Sequence, residues 1–149
     1  MKKKLIAAVA AAAFLPLLAS AQFAKTEDAI KYRQSSLFVM GQHFGRIGAM
    51  VNDKIPFDAA QAKESAAIVN VVGKLPWSGF VPNSDKGDTK ARPEVWEDAG
   101  KFKAAQERLA AALPKLAAAT ETGDKAKIKD AFGDAAGACK NCHDDFRAK

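Results

Sequence analysis

Cys139, Cys142 and His143 stand together in the run "CKNCHDDFR", and the two thiols are the only cysteines in the 149-residue chain. At helical spacings of three and four the three side chains project from one face and converge on one object. Two thiols so placed can add to the vinyl groups of a haem as thioethers, while the imidazole beside the second reaches the iron; the pentapeptide fits a covalent c-type haem. A disulfide between residues three apart inside a regular helix is sterically awkward and leaves His143 without a task. Structural zinc needs a fourth ligand and often a second CxxC, which the sequence lacks. A redox CxxC stands between a strand and a helix, and this one lies in a helical tail.

An iron held by His143 has a second axial position. Haems with His and Met or two His ligands shuttle electrons, whereas an open position admits small gases. After the first 21 residues His43 is the only other histidine, and Met40 and Met50 are the only methionines. All three fall on the first helix, which is expected to cross the haem from the far side. Methionines commonly serve as adaptable core filler. His43 immediately precedes Phe44 and so lies about 100° off the inward stripe that carries Leu37 and Phe44. Leu37 is apolar and on that stripe, and a leucine over the iron would leave the position open.

The elements that must position these groups read as helices, because Ala and Lys are frequent and β-branched runs are short. The first helix starts at "KTEDAIKYRQ", with Thr26 as cap and Glu27 and Asp28 at the positive end of the dipole. Its apolar stripe is Ile30, Leu37, Phe44, Ile47 and Val51, and it stops near "NDKIP". Gly41, Gly45 and Gly48 lie nearly on one face of it, which predicts close packing there, by a helix or by a ligand. The second helix is capped by Asp58, turns Ala62, Ala66, Val69, Val72 and Leu75 inward, and ends at Pro76. The segment "PWSGFVPNSDKGDTKAR" is then irregular and long enough to be functional, with Trp77 and Phe80 placed to cover something apolar. A third helix opens at Pro93, with a kink or early stop expected at Pro114; "TETGD" breaks the chain and Asp124 caps the fourth. Four helices with three connections predict an all-α fold, an antiparallel four-helix bundle around one core.

Residues 1–21, "MKKKLIAAVAAAAFLPLLASA", have a basic head, an apolar run and small residues at the end, the pattern of a cleaved secretory signal. The apolar run falls short of the ~20 residues of a spanning helix. The domain is then 22–149, an exported chain in a compartment where haem attachment takes place. Three of the 23 basic residues leave with the leader, so twenty face seventeen acidic ones. That small excess argues against nucleic acid or a membrane surface as partner. No residue pair implies enzymatic turnover: there is no carboxylate dyad, activated nucleophile or phosphate loop.

These residues resemble the cytochromes c prime, class II c-type cytochromes of photosynthetic and denitrifying bacteria. The resemblance is carried by "QFAKTEDAIKYRQSSL", "HFGRIG", "LPWSGF", "ARPEVWEDAGKFK" and the closing "CKNCHDDFRAK". It implies a periplasmic four-helix bundle, usually a homodimer, with one covalent haem c whose iron is pentacoordinate. By matching position, Cys139 and Cys142 are implied as thioether anchors, His143 as the only axial protein ligand, and Leu37 as the apolar residue crowding the distal face. Arg33 and Gln34 are implied to lie near a propionate, Trp77 and Phe80 to touch the haem, and Arg147 to stand on the proximal side. Phe146 departs from the Tyr of many relatives. The resemblance implies nitric oxide and carbon monoxide as ligands, with nitric oxide able to displace the histidine and finish on the proximal face. The alternative is an electron carrier with an unidentified redox partner, in its sharper form low-spin with Met40 as sixth ligand.

Overall fold

The computed structural model describes residues 22–149, and the expected leader lies outside them. Five α-helices follow in order: α1 (Thr26–Val51), α2 (Ala59–Val72), α3 (Glu94–Glu97), α4 (Ala99–Glu121) and α5 (Lys125–Phe146), with a 3-10 turn at Pro76–Gly79 between α2 and α3. The four long helices form an antiparallel bundle, in which α1 packs on α2, α2 on α4, α4 on α5 and α5 back on α1. There is no strand among the described residues. The core runs through Ile47, Val51, Val69, Leu109, Leu113, Leu116 and Ile128, all almost fully buried. Each such side chain contributes about 1.5–3 kcal/mol relative to leaving it in water.

The caps set the register of two helices. The Asp58 carboxylate accepts from the Gln61 amide at 3.0 Å, and that of Asp124 accepts from Ala126 at 2.8 Å and Lys127 at 3.3 Å. Each satisfies a donor that the first turn leaves orphaned, worth about 1 kcal/mol. Thr26 does not cap α1: it is already helical, and Lys25, extended and without a side-chain bond, precedes it.

The third helix expected from Pro93 is two. Asp98 leaves the helical region (φ −117°, ψ 59°), and its side chain accepts from the Lys101 amide at 3.1 Å, which starts α4 afresh. An aspartate that can hydrogen-bond the backbone ahead of it offers the chain a cap in place of continued helix. The early stop at Pro114 does not occur, and α4 continues to Glu121. The proline frees the carbonyl of Ala110, and both residues are exposed, so water can satisfy it. Leu75 also differs from expectation: α2 ends at Val72, and Leu75 lies beyond it, 42% exposed.

Only one glycine of the α1 face makes close helix contact. A Cβ on Gly48 would come within 2.6 Å of the Phe132 ring, which stacks on Phe44 with centroids 4.4 Å apart, while one on Gly41 or Gly45 would meet nothing within 4 Å. Gly48→Ala should therefore lose about 1–2 kcal/mol by forcing that stack apart, net of the helix propensity it gains. Gly45→Ala should gain about 0.5–1 kcal/mol. Urea unfolding of the two variants checks the sign of each.

Candidate functional site

All nine residues singled out by the sequence line one cleft of about 480 Å³ between the helices. α1 supplies Arg33, Gln34 and Leu37, the 3-10 turn and the residue after it supply Trp77 and Phe80, and α5 supplies Cys139, Cys142 and His143, with Arg147 just past its end. Leu37, Trp77, Phe80 and both cysteines are half-buried, whereas Gln34, His143 and Arg147 are exposed at the rim.

No disulfide joins the two cysteines, and as unmodified thiols each would have its pKa pushed up by burial, with the neighbouring Cys139 and Asp145 adding to the effect at Cys142. The His143 imidazole is held below its ordinary value, first by burial and then by the Arg147 cation, with Asp144 opposing. A neutral imidazole keeps a ring nitrogen free to donate its electron pair to a metal. Among the described residues no group of three or more His, Cys, Asp or Glu is arranged to hold a bare metal ion. Two thiols and one imidazole spread along a largely apolar cleft, bordered by the polar side chains of Arg33, Gln34, Thr89, Lys90 and Arg147, fit a flat macrocycle with its own metal.

The aromatic wall explains the segment after α2. Trp77 stacks beside Phe80 at 6.2 Å, Phe80 meets Phe102 edge-on at 4.9 Å, and Phe102 meets Phe146 edge-on at 5.2 Å. Such pairs add about 0.5–1.5 kcal/mol beyond their area. Phe146 is 4% exposed inside this cluster, so its ring is used wholly for packing.

Arg33 is the unexpected member. It is 2% exposed, and its Nη1 donates to the Gly79 carbonyl at 2.9 Å and to Ser84 Oγ at 2.6 Å. Its Nη2 donates to the Ser84 carbonyl at 2.6 Å and to Thr89 Oγ1 at 2.8 Å, and the guanidinium lies 4.6 Å from the Phe80 ring centre. A Cβ on Gly79 would come within 2.6 Å of the Ala29 carbonyl, so only glycine lets the turn approach α1 closely enough for the first of these bonds. Four of the five guanidinium N–H groups are thus taken by the loop, leaving Nε toward any further acceptor. Gln34, the next residue, donates to the Asp88 carbonyl at 2.8 Å.

Met40 borders the cleft, but its sulfur packs against the end of α2, where a Cβ on Gly73 would lie 3.4 Å from it. Met50 is fully buried elsewhere. His43 does not line the cleft. It lies three past Met40 and four before Ile47, both buried, with its Nδ1 buried and unpartnered.

Spacing missed Ser84, Thr89 and Lys90. Gly41, which spacing had marked for close packing by a helix or a ligand, lines the cleft and has no helix close to it. Nothing local links the loop hydroxyls to Arg33, about fifty residues away.

A bundle with this cleft defines a class, haem-bearing helical cytochromes. The family model described as Cytochrome C' matches residues 28–147, and the chain belongs to the cytochrome c prime family. Its cofactor is covalently attached haem c. It is 53% identical over 129 residues to the cytochrome c' of Rubrivivax gelatinosus, covering 86% of this chain and all of that one. The crystal structure of that relative superposes with a TM-score of 0.82, at 52% identity over 85% of this chain and all of the other. The nitric oxide complex of a leucine-to-alanine variant of cytochrome c prime from Alcaligenes xylosoxidans superposes at 0.80, with 44% identity over 86% of this chain and 99% of that one. No helix among the described residues is long and apolar enough to cross a membrane.

Proposed function

We propose that this is a periplasmic haem protein that takes nitric oxide, and carbon monoxide less readily, at an iron with His143 as its only protein ligand. Its role is to buffer, remove or sense nitric oxide. The observation that carries this reading is the α1 wall of the cleft, where the side chains beyond Gln34 are apolar (Leu37, Phe38, Phe44) and the one sulfur is turned to Gly73.

Anchored through Cys139 and Cys142, haem c supplies an iron to which a small gas can bind. The chain supplies the rest. The His143 imidazole would donate from α5, and Trp77 and Phe80, in the cleft wall, would border the macrocycle. Gln34 and the remaining Nε of Arg33 stand where a propionate can be met, although Arg33 acts mainly as the clamp of the loop. Leu37 crowds the distal side, so a ligand must displace packed side chain to enter. Dioxygen, which needs a polar donor to stabilise its bound form, finds leucine and aromatic surface. Arg147, four past His143, would stand beside a gas that took the place of the histidine. The nitric oxide complex known for the Alcaligenes relative supports the gas reading over electron carriage, for which the presence of Met40 in the cleft wall is the one observation. Pairing as a homodimer suits the exposed Phe38 on α1 and Val71 on α2, 65% and 62% accessible. The leader supports export to the periplasm.

Spectra of the ferric and ferrous holoprotein, with and without nitric oxide, test the reading: a low-spin ferric spectrum with a thioether band would overturn it. Arg147→Ala should change nitric oxide rates about tenfold and leave carbon monoxide affinity within about twofold, because only nitric oxide finishes on the proximal side. Stopped-flow mixing with each gas checks this, and equal changes would count against a side-specific role.

A further inference from the structure

Resting on the role just given to Arg147, we propose that Thr89 is a positioning residue for the proximal side, its hydroxyl tying α1 to the C-terminal tail through the strap 89–92 and so fixing Arg147 beside His143. The Thr89 Oγ1 accepts twice, from Arg33 Nη2 at 2.8 Å and from the Ala91 amide at 3.0 Å, which uses both its lone pairs. Ala91 then pairs with Arg147 in an isolated antiparallel bridge. On either side of that pair the Arg92 amide donates to the Phe146 carbonyl at 3.0 Å, and the Ala148 amide to the Lys90 carbonyl at 2.8 Å.

Arg147 itself has extended backbone (φ −122°, ψ 129°) and closes α5 by donating its amide to the His143 carbonyl at 3.1 Å. Its guanidinium has no hydrogen bond or ion pair among the described residues. The place of that side chain is therefore set by its backbone, and outside α5 the backbone is held by the strap alone. At its other end the strap is fixed to a guanidinium that is 2% exposed and bound to the loop at three further points, so the anchor is rigid. The chain of contacts runs from the helix that carries Leu37 to the residue beside the axial histidine, without passing through the cofactor.

Thr89→Val keeps the shape and removes the oxygen; Thr89→Ser keeps the oxygen. In the haem-loaded protein, Thr89→Val should speed amide exchange at Arg92 and Ala148 about tenfold, with Leu113 in α4 unchanged. It should shift the late nitric oxide rate by about threefold in the direction of Arg147→Ala, leave carbon monoxide affinity unaltered, and add nothing in the Arg147→Ala background. Thr89→Ser should restore both readouts. Unaltered exchange at the two amides, additive effects with Arg147→Ala, or equal shifts for both gases would overturn the assignment. A parent protein without a late nitric oxide phase would remove the gas reading, and the exchange measurement alone would then decide whether Thr89 holds the strap.

Discussion

Carbon monoxide should bind about a hundredfold more tightly to the Leu37→Ala protein than to its parent. Leu37 lines the cleft from α1, half-buried, four residues past the clamped Arg33. A ligand entering from that side must move its side chain against neighbours that are themselves packed, Met40 at 8% exposure among them. Removing a steric cost of about 2.7 kcal/mol is a factor of about one hundred in affinity. The same truncation should lower stability by only about 1–2 kcal/mol, at or below the usual range for leucine to alanine, because the side chain is not fully buried. Nitric oxide should then remain on the distal side, since nothing there hinders it. Equilibrium titration with each gas and urea unfolding check the three statements together. The control is Met40→Ala, which on the proposed reading should leave a pentacoordinate spectrum unchanged. If instead Leu37→Ala leaves carbon monoxide affinity unchanged and Met40→Ala turns a low-spin spectrum high-spin, Met40 is the ligand and the protein is an electron carrier.

The parts of this site that were legible in the sequence are those that spacing along one helix decides. Cys139, Cys142 and His143 share a face of α5 because helical geometry puts them there, and Arg33 and Leu37 share a face of α1 for the same reason. Capping was legible where an aspartate stood before an uninterrupted apolar pattern, at Asp58 and Asp124. It was not legible at Asp98, where the apolar pattern continues from Val95 through Phe102 and only the backbone breaks. At Pro114, where a kink or an early stop was expected, the stop does not occur, because the exposed side of α4 tolerates the lost bond.

Long-range polar pairing was the part that spacing did not give. Arg33 could be read as a cation beside the cleft, but not as the donor of four bonds to Gly79, Ser84 and Thr89, because those acceptors lie in a segment without period. All four are oxygens of the segment 79–89 that must be satisfied once it is packed against α1, and a guanidinium is the one side chain with enough donors in a plane to do so. The buried cation thus orders the irregular segment, and the aromatic wall of Trp77 and Phe80 is held at the cleft as a consequence.

His143→Ala should abolish the native absorption spectrum while leaving haem attached, since on the proposed reading Cys139 and Cys142 carry the attachment. The fold should survive, because the bond that closes α5 runs from the Arg147 amide to the main-chain carbonyl of residue 143, which alanine also has. Alanine raises helix propensity at that place by a few tenths of a kcal/mol, about 0.5 at most. The imidazole is exposed at the rim, so free imidazole added to the variant should reach the same position and restore the spectrum. His43→Ala is the matching control. His43 lies between Met40 and Ile47 on α1, away from the cleft, and its loss should leave the Soret region as it was. Absorption spectra of the two purified variants, ferric and ferrous, distinguish them directly. A native spectrum in His143→Ala, or its loss in His43→Ala, would mean that α1 and not α5 supplies the axial nitrogen, and the gas-binding proposal would fall with it.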